Sequence, residues 1–155
     1  MRLFHSFALA GLLLLTALAA RADLQHYDTS ALTIDTANGP QRFTIEMAIT
    51  PAQQEQGLMY RRSMAPDAGM LFVMKEQSVA TFWMKNTIIP LDMLFIASDG
   101  KIADIRERAV PMSETRIASK VPVRAVLELN GGTVARLGIK IGGVVHHATF
   151  ANVAG

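Results

Sequence analysis

Arg42-Phe43-Thr44-Ile45-Glu46-Met47-Ala48-Ile49-Thr50-Pro51-Ala52-Gln53 is the stretch on which the reading of the fold turns. Apolar Phe43, Ile45, Met47 and Ile49 alternate with Arg42, Thr44, Glu46 and Ala48. Successive side chains on a strand point to opposite faces, so a period of two marks a strand with one buried face. The chemistry then switches to that of a helix start. Thr50 can cap free N–H groups, Pro51 stands at the first helical position where its missing N–H costs nothing, and Gln53 completes a capping box. Gly57 keeps this helix short.

Outward from that unit the chain keeps the same character. Upstream, residues 23–31 read as a loosely held leader, 32–36 as a short strand, and Ala37-Asn38-Gly39-Pro40 as a turn cluster. Downstream, Ser63 to Ala68 reads as a loop. Apolar runs follow at Gly69–Met74, Val79–Met84 and Leu91–Ala97. Asp99-Gly100 suits a tight two-residue hairpin into a returning strand, Lys101 to Arg108. Val110 to Pro122 reads as a loop. Val123, Ala125, Leu127 and Leu129 alternate with Arg124, Val126, Glu128 and Asn130, which marks another half-buried strand with Glu128 on its polar face. A helical turn from Thr133 to Leu137 stops at Gly138, and Val144 to Phe150 forms a last strand. The expected fold is mostly β: a single small barrel-like mixed β domain of about eight short strands and about two short helices.

The N-terminus has the three parts of a signal peptide. Arg2 and His5 make a basic start, an apolar run extends from Phe7 through Leu18, and Ala20-Arg21-Ala22 offers small residues where a peptidase reads them. Cleavage after Ala22 would leave a 22-residue signal behind, an N-terminal leader and first strand at 23–41, and a β-rich domain at 42–150. The apolar run is shorter than the roughly 20 residues of a spanning helix. The mature chain is therefore expected in the periplasm or secreted, with no stable membrane anchor. Arg2 and Arg21 would leave with the signal, so the 15 basic side chains fall to 13, matching the 13 acidic ones. A balanced charge argues against nucleic acid as a partner. The chain has no cysteine, which removes thiol catalysis, cysteine metal sites and disulfides. Stability must come from apolar packing, and a monomer is expected.

Several residues carry the chain's resemblance to a known family: Gly57-Leu58-Met59, Arg61, Gly69-Met70-Leu71-Phe72, Phe82-Trp83-Met84-Lys85-Asn86-Thr87 and Pro90-Leu91-Asp92. Leu127-Glu128-Leu129-Asn130-Gly131-Gly132 adds a C-terminal pattern. From about Phe43 to Val145 the chain resembles the uncharacterised conserved family called domain of unknown function 192. The resemblance implies a small β-rich, barrel-like domain, often behind a signal peptide. It brings no established activity and no catalytic residue. His146-His147 is not part of the pattern.

The sharpest polar cluster is Lys85-Asn86-Thr87 with Asp92, on a connection between two apolar runs. Loops held on rigid strands are where sites usually form. Lys85 offers a charge, Asn86 donors and acceptors, Thr87 a hydroxyl and Asp92 a carboxylate. With Arg61 as a planar fork, Trp83 as an aromatic wall and Glu128 as a further carboxylate, these residues could hold a small polar ligand such as a sugar. The plainer reading is that Asn86 and Thr87 cap the turn and that Asp92 pairs with Arg61 or binds backbone amides. Acid–base catalysis would need two of Glu46, Asp92 and Glu128 brought together.

Metal binding and nucleophile chemistry find less support. The methionines Met47, Met59, Met64, Met70, Met74, Met84 and Met93 stand mostly in apolar runs and read as core rather than Cu(I) ligands. His146 and His147, as strand neighbours, would face opposite ways and not share an ion. No Gly-x-Ser-x-Gly elbow is present, and Gly131-Gly132 lacks the Lys of a phosphate loop. No cofactor is expected. The function ranked first is non-catalytic binding of a small polar ligand or an envelope partner. Behind it stand a cell-envelope hydrolase using Asp92 or Glu128, and an accessory protein-interaction factor.

Overall fold

The computed structural model describes residues 24–152, so the segment read as a signal peptide lies outside the described residues. Within them the chain forms β1 (Thr29–Ile34), β2 (Gln41–Ala48), α1 (Pro51–Gln56), β3 (Ala68–Ser78), β4 (Thr81–Phe82) and β5 (Leu91–Ile96). It continues through β6 (Ile102–Ala109), β7 (Ile117–Ala118), β8 (Val123–Asn130), α2 (Thr133–Leu137), β9 (Val145–His146) and a 3-10 turn, Ala148–Phe150.

Seven strands form one mixed sheet in the order β6-β5-β8-β3-β2-β1-β9, and β4 pairs with β7 as a separate ribbon. The β2–β3 pairing is parallel and the others are antiparallel. The turn of α1 between β2 and β3 supplies the crossover that a parallel pair requires. The sheet curls until its two edges meet at one end. A single antiparallel bridge joins Lys101, just before β6, to Val144, just before β9, and Ile102 N donates to Gly143 O at 2.9 Å. The result is a half-barrel of mixed sheet with two short helices.

Each face of the sheet has its own core. Leu32, Ile34, Ile45, Leu71, Leu94 and Leu127 pack with Ile102 and Val145 from the two opposite edges, so this cluster fills the inside of the curl. Met70, Phe72, Met93, Phe95 and Val126 point the other way and pack under Leu58, Met84 and Ala80. Of the seven methionines read as core, Met70, Met84 and Met93 are fully buried, while Met47, Met59, Met64 and Met74 are half-buried.

The helices follow their sequence signals closely. Thr50 Oγ1 accepts from Gln53 N, the Gln53 side chain accepts from Thr50 N, and Pro51 opens α1. Gly138, with φ +67°, ends α2 in the left-handed region.

Other expectations are corrected. The leader is not loose throughout: Tyr27 is buried, its hydroxyl donating to Gln53 O and Gly57 O, and β1 begins at Thr29. The run Val79–Met84 yields only the two-residue β4, and its partner β7 lies inside the segment expected to be a loop. The final strand is only Val145–His146, because His147 turns the chain by capping the 3-10 turn through Thr149 N. The hairpin at Asp99-Gly100 is longer than two residues. Gly100 N donates to Ala97 O and Ala97 N to Lys101 O, and Gly100 takes φ +84° while Asp99 keeps a negative φ. A type I′ turn needs both central residues left-handed; a type I turn followed by one left-handed glycine needs only the second. β8 is also more deeply placed than expected. It lies between β5 and β3 and is buried on both faces, so Glu128 faces the second core and not solvent.

Candidate functional site

Strand alternation on β8 puts Val126 and Glu128 on the face of the second core. Across the ladders Glu128 stands opposite Met70 of β3 and Met93 of β5. Its side chain is therefore flanked by thioethers, and the residue is only 4% exposed. No described residue hydrogen-bonds its carboxyl. Burial alone pushes its pKa from the ordinary 4.5 up to about 8. Desolvation disfavours the charged form, and nothing compensates for it.

The carboxyl opens on a cavity of about 520 Å³, a size that suits a small-molecule ligand. Two elements roof it. The first is α1 with the Gly57-Leu58-Met59 turn. Gln54 Nε2 pins it to the sheet by donating to Ala48 O (3.1 Å) and Val73 O (2.8 Å). Gly57 passes so close that a Cβ there would lie 3.0 Å from Phe72 Cζ, so glycine is the residue that lets this turn seat on the sheet. The second roof element is β4 running into Trp83. Phe82 meets Phe72 edge to face with centroids 5.0 Å apart, an arrangement that fixes both rings. Trp83, Thr87, Met59 and Met74 complete the wall, and the exposed side chain of Arg116 stands at its edge.

Of the residues singled out in the sequence, Trp83, Thr87 and Glu128 share this cavity. The other four do not line it. Arg61 ion-pairs with Glu46 on β2 and lies over the Tyr27 ring, 5.8 Å from its centroid. Lys85 Nζ sits over Trp83, 5.2 Å from the centroid. Asn86, at φ +56°, donates from Nδ2 to Tyr60 Oη at 3.0 Å and accepts Tyr60 N at its backbone carbonyl. It ties two loops together, its side chain reaching Tyr60 and Met59 rather than the backbone of its own turn.

Asp92 is buried and fully occupied by backbone. Its carboxylate accepts from Arg108 N at 2.8 Å, Gly132 N at 3.0 Å and Val134 N at 2.8 Å. It thereby satisfies the free amides that open α2. Asp92 lies one residue from Met93 on β5 and so projects to the opposite face of the sheet from Glu128. Glu46 stands opposite Met70, and Met70 opposite Glu128, so these two acids share a face of the sheet two strands apart, with Glu46 paired to Arg61.

The histidines are likewise absorbed. His146 Nε2 meets Asp35 Oδ2 at 2.8 Å, and this bond raises its pKa, helped by Asn152 O. His147 Nδ1 accepts from Thr149 N, which leaves Nε2 as the protonated nitrogen facing Ser30 Oγ at 3.0 Å. In that tautomer His147 donates to Ser30 and does not activate it. Among the described residues no group of three or more His, Cys, Asp or Glu could hold a metal ion.

Sequence reasoning missed Gln54, Phe72, Met74, Phe82 and Arg116. Phe72 and Met74 were legible only as members of an apolar run. Their role depends on β3 lying beside β8, and no local pattern announces that pairing.

Fold and site together define a half-barrel domain with a carboxyl at the floor of an apolar-walled cavity. The family model DUF192, described as Uncharacterized ACR, matches residues 32–147, and the chain belongs to that family. It is similar to a protein of Sinorhizobium meliloti 1021 described as a candidate transcription regulator, with 53% identity and a TM-score of 0.78 over 81% of this chain and 98% of that one. It is also similar to a protein of unknown function from Novosphingobium aromaticivorans DSM 12444, with 42% identity and a TM-score of 0.75 over 77% and 85% of the two chains. No curated protein matches.

Proposed function

We propose that the chain is a binding module for a small polar ligand seated over Glu128, with Trp83 and Thr87 on the cavity wall. The observation that carries this reading is a buried carboxyl with no protein partner opening on a cavity large enough for a ligand. A buried polar group without a partner costs stability. A ligand that bonds it recovers that cost. The apolar wall of Phe72, Phe82 and Trp83 would supply contact area. A hydrolase reading retains Glu128 as an acid, and the second carboxylate on the cavity lining is Glu55, whose side chain is exposed. The description of the Sinorhizobium relative gives no reason to place this chain on DNA, because its net charge is only +2.

Native mass spectrometry of protein taken from its own host tests the proposal. A small molecule should travel with the wild-type protein and be lost from Glu128→Leu while the melting transition persists. A bare mass for the wild-type protein would count against the reading. The same preparation tests export. N-terminal sequencing should begin at Asp23, on the strength of the Ala20-Arg21-Ala22 site, and a chain that still begins at Met1 in a membrane fraction would contradict it.

A second reading has its own observation. The loops carrying Tyr60, Trp83, Ile88, Val110 and Met112 leave these side chains exposed. They are bonded together through Tyr60 N to Asn86 O, Met84 N to Ser113 O and Met112 N to Thr87 O. Such an apolar rim suits docking of an envelope protein. A co-purifying polypeptide in the same spectra would favour it.

A further inference from the structure

We propose that the ligand group bonded by Glu128 is uncharged and presents an acceptor beside a donor, the pattern of a carboxamide. This rests on the binding reading of the cavity and names the chemistry that the site selects.

The argument starts from what surrounds the carboxyl. The strands on either side of β8 offer it Met70 and Met93, and Phe72 and Val126 share its face. None of these can donate a strong hydrogen bond or carry charge. Besides Glu128, two charged residues line the cavity, Glu55 on α1 and Arg116 before β7, and both side chains are exposed. Neither bonds Glu128 or shifts its titration, which burial alone governs. Lys85 lies over the Trp83 ring and is not among the residues that line the cavity. Arg116 is thus the cation among the lining residues and is not bonded to Glu128, so an ionised Glu128 would be a largely buried charge with no bonded counter-ion.

The protonated carboxyl has a different use. It presents one O–H donor and one carbonyl acceptor in a single plane. A carboxamide presents the complement, with C=O to take the proton and N–H to meet the carbonyl, and the two can close a planar pair of bonds. Thr87 and Gln54 border the same cavity; the Thr87 hydroxyl donates to Lys85 O and Gln54 Nε2 to Ala48 O and Val73 O, so the oxygens of both side chains remain as acceptors for a ligand donor. A ligand bearing an ammonium would instead need the ionised form. The two chemistries have opposite dependence on pH, which makes them separable.

The test uses a matched pair of probes, butyramide and butylammonium, titrated into the full protein. Emission of Trp83 is the readout, since it is the only tryptophan in the chain and lines the cavity. Butyramide should bind the wild-type protein at pH 6.5 and lose affinity by about 30-fold at pH 9.5, as a donor with a pKa near 8 ionises. Glu128→Gln keeps both a donor and an acceptor without a titration, so it should bind butyramide with similar affinity at both pH values. Preference for butylammonium, with affinity that rises with pH and vanishes in Glu128→Gln, would overturn the inference while leaving the cavity as a binding site. Butyramide binding that is flat with pH in the wild type would overturn it too. If neither probe moves Trp83 emission in the folded wild-type protein, the binding reading itself falls. The wild-type pH series decides the matter even if Glu128→Gln fails to fold.

Discussion

Asp92 and Glu128 are two buried acids one strand apart, and their surroundings assign them opposite roles. Asp92 is surrounded by N–H donors, and its carboxyl serves the fold as their acceptor. Removing it by Asp92→Ala strands the amides of Arg108, Gly132 and Val134, and should cost roughly 3–5 kcal/mol in chemical denaturation. Lys85→Ala, which removes only a contact over Trp83, should cost about 0.5 kcal/mol. Glu128 has no donors. Its pKa is near 4.5 when unfolded and about 8 when folded, so the folded state holds an extra proton between those values. Stability should be highest below pH 4.5 as far as this group is concerned, and should fall as pH rises through 8. Glu128→Gln removes the penalty, so its stability advantage over wild type should grow from pH 5 to pH 8 and reach several kcal/mol. A pair of melting-temperature profiles that run parallel across that range would contradict this. The sequence identified both acids as candidates, and Asp92 on backbone amides was one of the readings it left open. It could not distinguish the two, since the difference lies in which amides and thioethers the sheet brings alongside.

At the level of elements, local chemistry was the best guide. The capping box of α1 is a property of four consecutive residues, and Thr50→Ala should cost about 1 kcal/mol by removing the bond from Gln53 N. Strand β2 was legible from the alternation at Phe43 and Ile45, but the expected face breaks down at its end, where Ala48 is buried, Met47 half-buried, and Ile49 exposed beyond the strand. The pair β4 and β7 was not, since two residues carry no period. Strand β8 misled for a different reason. Arg124, Glu128 and Asn130 made one face look polar, yet its central position buries that face too. Gly100 shows how a local signal can be right about the residue and wrong about the turn. A Cβ there would lie 2.6 Å from Val145 O and 2.3 Å from Asn152 Nδ2, in a backbone with φ +84°. Gly100→Val should therefore cost roughly 2 kcal/mol or more, because it strains the turn and also pushes apart the junction that closes the sheet. A denaturation midpoint unchanged from wild type would mean the edges do not meet there.

For the molecule as a whole, the closing of the sheet sorts every side chain into one of two cores, and the cavity follows from how the second is roofed. Periodicity sufficed for a mostly β, barrel-like domain. It could not show that α1 and the β4–Trp83 segment, distant in sequence, stand over the same residue of β8. The account depends on that residue being a neutral, largely buried acid beside a cavity. NMR titration of the Glu128 side-chain carboxyl in ¹³C-labelled, ligand-free protein measures this directly. The predicted midpoint is about 8, and a midpoint near 4.5 would mean the carboxyl is solvated or paired, and would contradict the account.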